Sequence, residues 1–155
     1  MFKKLKFTLL IILLYQTPIY SKSASFDKID SKNISKYFSG IVALENKENS
    51  LALDFFNESK ILINNHNTYL KKYISSLVLE KKVLQAINTI KQNSKSNNIN
   101  FYDAYLLLII DSVKKQDLNN AQAYLSYAIN HFENDKFNLA ILESLEEYIY
   151  VFKEQ

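Results

Sequence analysis

YFSGIVALENKENSLALDFFNESKIL, residues 37–62, holds Gly40, the only glycine in the 155-residue chain, inside a run whose apolar residues recur at helical spacing. Glycine in a helix interior costs about 1 kcal/mol relative to alanine, so its place there asks for a packing reason. The polar segment NKENS divides the stretch into two helices. A residue without a side chain on the first lets the second approach closely.

Working outward, apolar residues recur at helical steps in seven blocks, roughly 31–46, 50–64, 68–80, 83–93, 101–115, 118–132 and 137–153. Polar links separate them, and Ser50, Asn67, Asn100 and Asp135 are the expected N-caps. One glycine and one proline leave little turn chemistry for hairpins, which argues against a sandwich or barrel. The expected fold is therefore all-α, with helices of 11 to 17 residues joined by short links and packed as antiparallel neighbours.

Three alanines give these helices a period. Ala52, Ala86 and Ala121 lie 34 and 35 residues apart, each early in the second helix of a pair. Each is followed four residues on by a large apolar side chain, Phe56, Ile90 or Leu125, and seven on by Ser59, Asn93 or Ala128. Those offsets put all three side chains on one helix face. A repeated helical pair of this length predicts a stacked solenoid.

This pattern resembles the tetratricopeptide repeat over about residues 33–134, as repeats 33–66, 67–100 and 102–134. Gly40 lies 12 residues before Ala52, the spacing that family uses between the small residue of helix A and the alanine of helix B. The repeats are degenerate: Ile74 and Ile109 stand in the register of Gly40, while Lys36, Leu70 and Tyr105 stand where the family has its signature aromatic. The resemblance implies a groove on the A helices that holds a segment of a partner protein. Carried over position by position, that groove is Tyr37 and Ile41, Lys71 and Ser75, and Leu106 and Ile110. The family's carboxylate clamp is not matched, because Tyr37 and Ile41 occupy its places in the first repeat. The same tyrosine, leucine and isoleucine side chains also suit a core or a contact between repeats. Without the repeat, the alternative is an irregular helical bundle.

The last block, 137–153, reads as a capping helix. Leu142, Leu145, Ile149 and Phe152 form one face, with Glu143, Glu146, Glu147 and Glu154 mainly on the other.

At the other end, MFKKLKFTLLIILLYQTPIYSKSAS has the order of a secretory signal peptide: lysines, an apolar run, then small residues. Residues 1–23 are the expected leader, with cleavage after Ser23 or Ser25, leaving a mature domain 24–155 in the bacterial periplasm. The alternative is an uncleaved anchor in the inner membrane through residues 7–20. Removing Lys3, Lys4, Lys6 and Lys22 takes the formal net charge from +3 to −1, so the mature domain lacks the basic footprint of a nucleic-acid binder. The absence of cysteine excludes disulfides, thiolate metal sites and lipoprotein anchoring.

Little chemistry is legible. His66 and His131 fall near the ends of second helices and are expected to favour the helix C-terminus, without companions for a metal. Asp54 and Glu58 form an i, i+4 pair expected to be solvated. No phosphate loop, nucleophile elbow or dinucleotide turn is present. The expectation is a non-catalytic interaction module or scaffold of the envelope, without cofactor or metal. The alternatives are a self-assembling structural subunit, a piece of a longer repeat protein, or an accessory subunit of an enzyme.

Overall fold

Asp30 opens the first helix by accepting a hydrogen bond from the backbone N–H of Lys32. The computed structural model describes residues 30–64, 66–94 and 99–153, and the expected leader lies outside them. The helices are α1 Ser31–Glu45, α2 Asn49–Glu58, α3 Asn67–Leu79, α4 Val83–Asn93, α5 Tyr102–Lys114, α6 Leu118–His131 and α7 Lys136–Lys153. A 3-10 turn, Lys60–Asn64, follows α2, and no strand occurs among the described residues.

The block expected as one helix over 50–64 is broken at Ser59. Its N–H is shared between the carbonyls of Phe55 and Phe56 at 3.1 and 3.2 Å, and its buried hydroxyl donates to the Phe55 carbonyl at 2.9 Å. A serine bonded back onto its own helix competes with the α ladder, which here tightens into the 3-10 turn and tucks Leu62 into the core.

One closure is used three times. After α1, the N–H of Lys47 bonds the Leu44 carbonyl at 3.0 Å and that of Glu48 bonds Ala43 at 2.9 Å. After α3, Lys81 bonds Val78 at 2.9 Å and Lys82 bonds Leu77 at 2.8 Å; after α5, Gln116 bonds Val113 and Asp117 bonds Ser112, both at 2.9 Å. These are Schellman motifs, which need a left-handed residue just past the helix. Lys47, Lys81 and Gln116 take that role with φ of 63°, 60° and 60°, and they lie 34 and 35 residues apart like the alanines.

In each closure the residue after the left-handed one is also the N-cap of the next helix: Glu48, Lys82 and Asp117. Only Asp117 caps with its side chain, accepting from the N–H of Asn120. This corrects the expected caps. Ser50 falls inside α2, Asn67 is the first residue of α3 behind His66, and Asn100 precedes the N-cap Phe101. Asp135 does cap α7, accepting from the N–H of Asn138 at 3.2 Å.

Packing follows the same period. Ala52, Ala86 and Ala121 are fully buried, as are Phe56, Ile90, Leu125 and Ala128. Gly40 touches the ring of Phe56, and Ile74 and Ile109, in its register, are buried as well. One apolar cluster runs from Tyr37 to Leu108, and a second joins Ile109, Ala121, Leu125, Ala128, Leu142 and Ile149. Phe152, expected on the core face of α7, is instead 48% exposed, with its ring 4.6 Å from that of Tyr148.

Candidate interaction surface

The six residues read as a groove do not share one environment. Tyr37 is 3% exposed and belongs to the core. Its ring packs on those of Phe56 and Tyr69, and its hydroxyl is 3.0 Å from the Thr68 hydroxyl. It lies one turn before Gly40, on the face that meets α2, so it offers no anchor to a ligand. Ile41 is half-buried against the same cluster.

The other four remain at the surface of α3 and α5. Lys71 pairs with Asp103 at 3.8 Å, and the Ser75 hydroxyl donates to the Lys71 carbonyl at 3.0 Å. Leu106 is half-buried and Ile110 is 50% exposed. The Lys71–Asp103 pair ties α3 to α5, and a 3.5 Å pair between Lys72 and Glu45 ties α3 to α1. Both pairs are exposed, so they report the order of these helices more than they stabilise it.

The histidines separate. His66 opens α3 and its Nδ1 lies 2.9 Å from the Thr68 hydroxyl, which places it at a helix start and not at the expected C-terminus. His131 is the last residue of α6, with its ring 4.8 Å from Phe132. Glu58 pairs with Lys36 at 2.7 Å, while Asp54 is exposed. Among the described residues, no group of three or more histidine, aspartate or glutamate side chains could hold a metal ion, and no helix is long and apolar enough to cross a membrane.

The shifted titrations are structural in cause. Burial pushes the phenols of Tyr69, Tyr102 and Tyr105 upward, keeping them neutral. The Asp111 carboxyl is held low by hydrogen bonds from Lys115 and Lys91, both at 2.8 Å. It thereby joins α4 to the end of α5.

Two open cavities escaped the sequence reading. One, about 530 Å³, is lined by Phe38, Val42, Leu51 and Phe55 of α1 and α2. Phe38 and Val42 are an i, i+4 apolar pair beside Tyr37 and Ile41, so α1 is apolar around more of its circumference than one core contact needs. The other, about 540 Å³, lies between the link before α5 and helix α6. Tyr105, Tyr127 and His131 form a stacked row along it, with ring centroids 5.0 and 5.7 Å apart.

Comparison with protein-family models and with curated proteins finds no match to this chain.

Proposed function

We propose that this chain is an exported, non-catalytic interaction module built from three degenerate tetratricopeptide-like helix pairs, stacked as a short solenoid and capped by α7. Each pair, α1 with α2, α3 with α4 and α5 with α6, turns back on itself into antiparallel packing. The observation that carries this reading is the recurrence of one helix closure at Lys47, Lys81 and Gln116, in step with the buried alanines. A chain that repeats a helical pair at a fixed period builds an extended surface, and such surfaces serve binding more often than catalysis. The leader-like residues 1–23 support export to the bacterial envelope.

The surface assigned to the partner is that of α1, α3 and α5. Leu106 and Ile110 supply apolar anchors, Ile41 a flank, and Lys71 and Ser75 the polar middle. Affinity would come from burying a partly apolar segment of another protein, with little dependence on salt.

The test is affinity capture from envelope extract, comparing the parent with a Leu106→Asp, Ile110→Asp variant shown by circular dichroism to stay folded. A protein retained by the parent and lost from the variant is the expected result. Equal retention by both would place the interface elsewhere.

A further inference from the structure

Helix α7 continues the register of α1, α3 and α5. Gly40, Ile74, Ile109 and Ser144 follow one another at steps of 34, 35 and 35 residues. The first three positions are buried in contact with, or in one cluster with, the helix that follows: Gly40 against Phe56, Ile74 with Ala86 and Ile90, Ile109 with Ala121 and Leu125. Ser144 is exposed.

Around Ser144 runs a second apolar stripe. Phe137, Ile141, Ser144, Tyr148 and Val151 fall at alternating steps of four and three residues, with Phe152 beside them. These steps trace one face of a helix over roughly 21 Å. Phe137 is 76% exposed, and Tyr148 and Val151 about half so. The face is distinct from the one α7 presents to α6, which carries the buried Leu142 and Ile149. One helix thus has two apolar faces, of which α6 covers one.

We propose that the open stripe is a docking site for an amphipathic helix of another protein, carrying an alanine followed four residues later by a large apolar side chain. The internal interfaces specify this occupant. In each of them a helix in the register of α7 is covered by one with that pair: Ala52 and Phe56, Ala86 and Ile90, Ala121 and Leu125. Where the first helix is small, the second supplies bulk, as Phe56 does to Gly40. Ser144 is small and calls for the same partner. The exposed Glu143 and Glu147 on one flank favour lysine or arginine beside that helix. A second folded copy does not present such a face, because α2, α4 and α6 are already packed on α1, α3 and α5. The stripe is separate from the α1, α3 and α5 surface and stands or falls independently of it.

The probe is a labelled peptide with the sequence of residues 81–94, which contains the Ala86 and Ile90 pair flanked by Lys81, Lys82 and Lys91, titrated with the full chain by fluorescence anisotropy. Saturable binding is expected, weakened at least tenfold by Tyr148→Asp or by Ser144→Arg in the chain, and unchanged by Ile110→Asp. Circular dichroism establishes that each variant is folded. Absence of saturable binding, or binding indifferent to both α7 variants, overturns the proposal. So does a dimer in sedimentation equilibrium that Tyr148→Asp dissociates, since the stripe would then belong to a second copy.

Discussion

The ring of Phe56 lies where a side chain at Gly40 would have to sit. A Cβ built on Gly40 falls 2.9 Å from Cε1, 3.0 Å from Cδ1 and 3.1 Å from Cζ of that ring. The ring is fully buried and packs on Tyr37 and edge-on to Tyr69, so it cannot swing aside. Gly40 is kept for this contact against its helix propensity.

Two opposing terms act on Gly40→Ala: a propensity gain of about 1 kcal/mol and an overpacking cost of about 1–3 kcal/mol. The cost wins while Phe56 is present, and Gly40→Leu loses more. In a Phe56→Leu background the sign reverses, and Gly40→Ala raises the melting temperature. A double-mutant cycle by thermal denaturation checks this; an alanine that stabilises the parent would refute the contact.

Two tyrosine hydroxyls differ in what they touch, and removing them should have unequal effects. The Tyr69 hydroxyl donates to the Phe56 carbonyl within the core, tying α3 to α2. The Tyr102 hydroxyl is buried without a partner among the described residues. Tyr69→Phe should cost about 1 kcal/mol, whereas Tyr102→Phe should be neutral or stabilising, because it removes an unmet polar group. Parallel melting curves of the two variants decide it.

Asp111 predicts a pH dependence. Its carboxyl, 7% exposed, accepts from Lys91 and Lys115 and is held below its ordinary value by those bonds. A depressed folded value means that the contribution is fully present above the unfolded value and is lost as pH falls through the folded one. Both lysines are partly exposed, so Asp111→Asn should cost only about 1–2 kcal/mol near neutrality. The melting temperature of the parent should fall more steeply than that of the variant as pH drops below about 5, through the unfolded value near 4 and on toward the lower folded one. Parallel slopes would mean the pairs carry no net stability.

The helices, their order and the alanine faces were legible because apolar period and small residues report burial directly. The glycine at position 40 reported its contact for the same reason. The turns were not legible: a left-handed residue is normally sought as glycine, and here two lysines and a glutamine hold that conformation, imposed by the closure between packed helices. Between the groove and the core the sequence could not assign Tyr37, because period shows that a residue lies on an apolar stripe but not which neighbour the stripe meets. On α1, with apolar residues on several sides, position along the chain could not separate the face toward α2 from the surface. The same ambiguity put Phe152 on the core face of α7, while its neighbours formed a second stripe.

If one helix closure is used three times, glycine at each of its left-handed positions, 47, 81 and 116, should act alike. Left-handed backbone costs an ordinary residue roughly 1–2 kcal/mol, and glycine returns part of that in its greater unfolded freedom. Lys47→Gly, Lys81→Gly and Gln116→Gly should each raise stability to chemical denaturation by roughly 0.5–1 kcal/mol, and the three together should add. A variant among the three that loses stability would show that its turn is not the same closure, and the threefold repeat would fail there.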